Sequence, residues 1–303
     1  MSEEKFWNHK VRNNLRAAAL FLGMLILMLA LGYTLLGSTG LLWAGAFGLI
    51  TLGMSTRVSS QIVMRFQGGR PLRTSEAPQL YRLLQQLSKR AQLPVAPKLY
   101  YIPNTALNAF ATGSKKDPAI AITHGLLSRM DLRELSGILA HEVSHIRNND
   151  LQLKSMVNLF SRYTRFFSLF GQILLFINLP LFFMGQATVP WLAIALLLFA
   201  PTLVLLMMQA FSRTREFEAD LEAARLTGDP NALADALEKL DYFNQGGWWA
   251  RLKPTRGVRL PNILSSHPDI QDRVARLRDL APRFVPRFDW GQWQRQGWLF
   301  SQI

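Results

Sequence analysis

Leu139-Ala140-His141-Glu142-Val143-Ser144-His145-Ile146 decides how the rest of this 303-residue chain is read. The stretch carries the pattern H-E-x-x-H. Residues four apart lie on one face of an α-helix, so His141 and His145 can turn both imidazoles toward one metal ion. Glu142 then puts a carboxylate beside that ion, where it can take a proton from bound water. The surroundings predict the helix. Asp131 followed by Glu134 has the form of a capping box. Leu132, Leu135, Ile138, Leu139, Val143 and Ile146 form an apolar stripe at helical spacing.

Working outward, the apolar residues come in blocks rather than evenly spread. They make up 49% of the chain, and the blocking indicates a membrane protein with a water-facing part. The formal net charge is +14, from 34 basic and 20 acidic residues. In a membrane protein that excess fits the positive-inside rule and attraction to anionic headgroups. No basic helix or stacking motif reads as a nucleic-acid surface, so no nucleic-acid partner is expected. There are no cysteines, which excludes disulfides and thiolate metal sites; a metal here must use histidine and carboxylate.

Residues 1–16 form a polar leader, and residues 17–54 a first transmembrane hairpin. Ala17 to Leu36 has no charge and is long enough to span. Gly37-Ser38-Thr39-Gly40 is a turn, and Leu41 to Met54 is a second, shorter apolar run. Residues 166–211 form a second hairpin, with runs from Phe166 to Gly185 and Val189 to Phe211. Both turns are uncharged, while Arg57 and Arg65 follow the first hairpin and Arg162, Arg165, Arg213 and Arg215 flank the second. Both hairpins therefore enter from the same, cytoplasmic side.

Residues 55–165 hold the first part of a water-facing domain. Lys98 to Ile102 suits a strand, Asn108 to Thr112 another, Gly113 to Pro118 a turn and Ala119 to Thr123 the return strand. The motif helix is expected to continue through Asn148 and Asp150 toward Phe160. Residues 212–281 return to helical character, with one helix from Arg215 to Leu226 and another from Asn231, which would cap it. Residues 282–303 are a Trp-rich tail.

A catalytic zinc needs a third protein ligand and an open position. Glu216 and Asp220 are four apart on a predicted helix, so one could bind metal while the other receives a histidine N–H. On composition alone, a solvated acidic face paired with Arg213 and Arg215 explains them equally well.

His141-Glu142-Val143-Ser144-His145-Ile146 with Asn148 and Asp150, then Arg215-Glu216-Phe217-Glu218-Ala219-Asp220, resembles the HtpX-type membrane zinc metalloproteases, gluzincins related to the CAAX prenyl endoproteases. Asn108-Ala109-Phe110-Ala111-Thr112-Gly113 and Ser266-His267-Pro268 with Arg273 extend the likeness, which covers roughly residues 17–280. The resemblance implies one catalytic Zn2+ held by His141, His145 and Glu216. It implies Glu142 as general base, Asp220 as the partner of a ligand histidine, and Asn108, Ala109, Phe110 and Ala111 as an edge strand that takes up extended substrate. His267, with Arg273, would stabilise the oxyanion or position the substrate. The leader is longer than is usual in that family, and the region from Gln245 to Leu264 and the tail fall outside the likeness.

The expected fold is α+β: a mostly helical membrane protein with four transmembrane helices in two hairpins and a zincin-like catalytic domain with a small sheet. The expected function is an integral-membrane zinc metalloendopeptidase, and the resemblance implies a role in membrane-protein quality control. It would sit in the bacterial cell inner membrane, with its catalytic domain on the cytoplasmic side and peptides or membrane proteins as substrates. The bilayer is an expected partner, and the reading allows a homo-oligomer. The alternative is a zinc-binding membrane scaffold or pseudo-protease without peptidase activity, against which intact Glu142 argues.

Overall fold

The computed structural model describes residues 3–55, 59–186, 189–244 and 269–290. Helix α1 (Glu3–Ser55) is interrupted at Gly37, where φ is 60° and ψ is −139°. Glycine tolerates this conformation because it has no Cβ. The chain doubles back there: a Cβ placed on Gly40 would fall 1.9 Å from the carbonyl oxygen of Gly32, whereas eight residues of straight helix span about 12 Å. Among the described residues, three helices are long and apolar enough to cross a membrane. They are the Val11–Ala46 part of α1, α6 (Asp150–Phe183) and α7 (Trp191–Thr227). The short second arm of α1 is not separate among these three, where four spans were expected.

The outer faces of these helices suit lipid. Phe176 and Leu192 are each 82% exposed, which water would penalise. Their inner faces meet through Met24, Met28, Val157, Phe160, Val204 and Phe211. Asn178 closes the turn between α6 and α7, accepting from the Val189 amide at 3.2 Å and donating to the Val189 carbonyl at 3.1 Å.

The rest of the molecule is built on a four-stranded sheet: β1 (Arg70–Pro71), β2 (Lys98–Ile102), β3 (Ala109–Ser114) and β4 (Asp117–Thr123), in the order β1-β2-β4-β3. β4 runs parallel to β2 and antiparallel to β3, which leaves β3 at an edge. The hairpin is tighter than its sequence indicated. Gly113 pairs with Pro118 and Ser114 with Asp117, so the turn shrinks to Lys115 and Lys116. Gly113 permits this with a φ of 91°, where a Cβ would collide with the Asp117 carbonyl at 2.1 Å.

Besides the short helices α2 (Ser60–Phe66) and α4 (His124–Arg129), this part holds α5 (Leu132–Arg147), which carries the H-E-x-x-H motif. Its capping box is present: the Glu134 amide donates to Asp131 at 2.7 Å, and the Asp131 amide donates back to Glu134 at 2.9 Å. Its apolar stripe packs Leu135, Leu139 and Val143 against Leu83 and Leu87 of α3 (Pro78–Arg90) and Ile120 and Ile122 of β4. Each such buried side chain contributes about 1.5–3 kcal/mol.

Three helix boundaries differ from those expected. The motif helix does not run on toward Phe160; it stops at Arg147, and Asn149 is left-handed with φ 57° before α6 begins. Asparagine is among the few residues that visit this conformation readily. The Arg215–Leu226 helix is not separate, because α7 continues unbroken from Trp191 to Thr227. Nothing in Ser212-Arg213-Thr214 breaks a helix. Asn231 does not cap α8 (Pro230–Asn244). Asp229 does, accepting from the Ala232 amide at 3.2 Å, and Pro230 takes the first position, where its missing N–H costs nothing. α9 (Ile270–Leu280) follows the last gap in the described chain.

Candidate metal centre

α5 and α7 bring His141, His145 and Glu216 together, all buried. The two Nε2 atoms are 3.1 Å apart. The Glu216 oxygens lie 3.3 Å from the His141 Nε2 and 3.6 Å from the His145 Nε2. Tetrahedral zinc with bonds of about 2.0 Å places neighbouring donors about 3.3 Å apart. These donors are therefore already spaced for one such ion.

The far sides of the rings settle which nitrogens face inward. The His141 Nδ1 is 3.0 Å from Asp220, one helical turn beyond Glu216 on α7. The His145 Nδ1 is 2.8 Å from Asp150. Each carboxylate takes the Nδ1–H of its ring, so each Nε2 keeps a lone pair. Two lone pairs and a carboxylate then converge on one small space, an arrangement that repels itself without a cation. The proton affinity of His141 reflects this. Burial works against a charge on the ring, but Asp220 and Glu216 outweigh it and push its pKa up to about 9.

Both supporting carboxylates are themselves held. Arg273 of α9 donates to the two oxygens of Asp220 at 2.8 and 2.6 Å, the forked geometry that suits guanidinium and carboxylate. Its third nitrogen lies 3.5 Å from Glu216. Arg273 was expected to meet substrate; here it is buried on Asp220. Arg215 donates to the second oxygen of Asp150 at 2.6 Å and to Asn14 of α1 at 3.0 Å. Lys154 donates to Glu216 at 2.9 Å.

Glu142, next to His141 on α5, reaches the sheet. Its carboxylate accepts the Ala111 amide at 2.8 Å. The Asn108 carbonyl accepts from the Thr123 amide at 3.0 Å, so by alternation Phe110 and Thr112 also bond toward β4. The backbone groups of Ala109 and Ala111 then face outward, along the free edge and toward Glu142. Phe110 packs its ring beside Met64 and Tyr100. His267 lies outside the described residues.

Sequence reasoning gives Asp150, Lys154 and Asn14 no role at the site, and reads Arg215 only as a flanking charge or the partner of a solvated acidic face. Asp150 is five residues past His145, about 140° around a continuous helix and out of reach. The left-handed Asn149 brings it back. An asparagine pair, Asn148-Asn149, was the available signal.

The model of peptidase family M48 matches residues 74–281. A relative named "Protease HtpX homolog" from Paenarthrobacter aurescens (strain TC1) is 35% identical over 294 residues, covering 91% of this chain and 99% of that protein. A protein of the same name from Acaryochloris marina (strain MBIC 11017) is 37% identical over 293 residues, covering 91% and 97%. The crystal structure of S. mikatae Ste24p shares the fold with a TM-score of 0.51 at 23% identity, over 90% of this chain and 66% of that one.

Proposed function

The chain belongs to peptidase family M48, and from that premise we propose that it is a zinc-dependent endopeptidase of the bacterial inner membrane, working from the cytoplasmic side. The observation that carries the reading is the convergence of three metal-type donors beside a carboxylate that itself touches a free strand edge.

The residues divide the work. His141, His145 and Glu216 would hold the ion, with Asp220 and Asp150 keeping both rings in the Nδ1–H form. A bound zinc lowers the pKa of a coordinated water and polarises a peptide carbonyl. Glu142 accepts the proton of the attacking water and returns it to the leaving amine. An extended substrate would add to β3 along Ala109 and Ala111, using main-chain bonds that tolerate varied sequence. That tolerance, and the nearness of the site to three membrane helices, favour damaged membrane proteins as substrates.

The test is proteolysis of an unfolded model protein by the detergent-purified chain and by Glu142→Gln, with metal content measured in both. Cleavage by the parent alone, with equal zinc in each, supports the reading. Equal cleavage by both would overturn it. Zinc in both with cleavage by neither, for membrane substrates as well, would favour a zinc-binding scaffold.

A further inference from the structure

A cavity of about 450 Å3 opens where α1, α7 and α9 meet. None of His141, Glu142, His145 or Glu216 lines it; it adjoins the metal centre through Asp220. Three arginines do: Arg12 and Arg16 of α1, one helical turn apart, and Arg276 of α9. Arg276 lies over the ring of Phe217, 3.8 Å from its centre, which fixes the guanidinium in place. Leu221, Leu277 and Leu280 supply apolar lining. Two carboxylates also line it, Asp279 and Asp220, the latter bonded to Arg273, so arginines outnumber carboxylates in the lining three to two.

The level of the cavity matters as much as its charge. Arg16 immediately precedes the charge-free run that starts at Ala17. Phe217 is six residues, or about 9 Å, beyond Phe211, where the apolar part of α7 ends. The cavity therefore sits at the membrane boundary on the side of the metal centre. Guanidinium forks match phosphate oxygens, and the apolar lining suits the glycerol and first methylenes beneath them. A soluble anion would use only half of this lining.

We propose that this cavity binds the phosphate headgroup of an anionic phospholipid. It would be a defined site for one lipid rather than part of the diffuse attraction between a basic protein and the bilayer. The bound headgroup would lie beside Asp220, the residue that orients His141.

The experiment uses the full chain in detergent, titrated with phosphatidylglycerol, phosphatidylcholine or soluble glycerol phosphate, with binding read by native mass spectrometry and thermal shift. One phosphatidylglycerol should bind in preference to phosphatidylcholine. The triple variant Arg12→Gln/Arg16→Gln/Arg276→Gln should weaken it roughly 100-fold, at about fivefold per basic contact. Arg162→Gln/Arg165→Gln, exposed arginines beside the α6 span, should leave it unchanged. If the triple variant fails to fold, the Arg→Lys triple serves, and it should bind several-fold more weakly because it keeps the charge without the fork. Equal losses in the two sets of variants, or no loss in either triple, would overturn the proposal. So would glycerol phosphate binding as tightly as the lipid, which would mean a site for free phosphate.

Discussion

The amide of Ala111 donates to the carboxylate of Glu142 at 2.8 Å. One hydrogen bond thus joins the free edge of the sheet to the candidate base on α5. It sets the height at which a substrate strand added to β3 would pass Glu142.

Replacing Ala111 by proline deletes that donor at an edge position, where proline is tolerated because the N–H does not serve the ladder. Ala111→Pro should keep fold and metal content but cut proteolysis about 10- to 100-fold, the worth of a hydrogen bond to a charged group. Activity assays beside far-UV circular dichroism check this. Undiminished cleavage would mean that the edge does not guide substrate.

Asp220 stands between His141 and Arg273, and its loss should be felt twice. Asp220→Ala leaves the buried Arg273 with only Glu216, 3.5 Å away, against its charge, at a cost of up to about 3–5 kcal/mol. It also frees the His141 ring, and zinc affinity should fall about 10- to 100-fold. Asp220→Ala/Arg273→Leu should recover much of the melting temperature but not the zinc affinity. Recovery of both would reduce Asp220 to a neutraliser of Arg273.

Lys154 competes with metal for Glu216. Its ammonium lies 2.9 Å from one carboxylate oxygen, and a cation bound by that carboxylate must share or displace it. Lys154→Met should tighten zinc binding several-fold, a modest gain because the lysine is one-third exposed. The same variant should destabilise the metal-free protein. Competition against a chelator, with thermal melts with and without zinc, measures both; unchanged affinity would exclude the competition.

Asp235 ties α8 to its neighbours through Arg133 at 2.6 Å and Arg278 at 2.7 Å. Burial alone would raise its pKa, but the two guanidinium groups hold it below the usual carboxylate range. A folded-state pKa that is lowered gives stability that is complete above the unfolded value of about 3.9 and is lost as pH falls through the folded value. Asp235→Asn should therefore melt below the parent at pH 7, and the gap should close as the pH drops under about 4. A gap constant from neutral to acid pH would show that Asp235 does not stabilise through its charge.

Local patterns made part of this protein legible without coordinates. A four-residue spacing is a statement about one helix face, so the pairs His141 with His145 and Glu216 with Asp220 could be read directly. Charge-free length marked the membrane runs, and the cap at Asp131 is an exchange within four residues. Three chain-level outcomes depended on tertiary structure because they join residues far apart or reverse a local default. The left-handed Asn149 delivers Asp150 to His145. α9 carries Arg273 back across 53 positions to Asp220. The leader of α1 sets Asn14 on Arg215, and Arg12 and Arg16 beside Arg276. Periodicity reports what one element repeats along its own axis. Which side chains meet between elements is decided by how the helices and sheet pack, and no spacing along the chain encodes that.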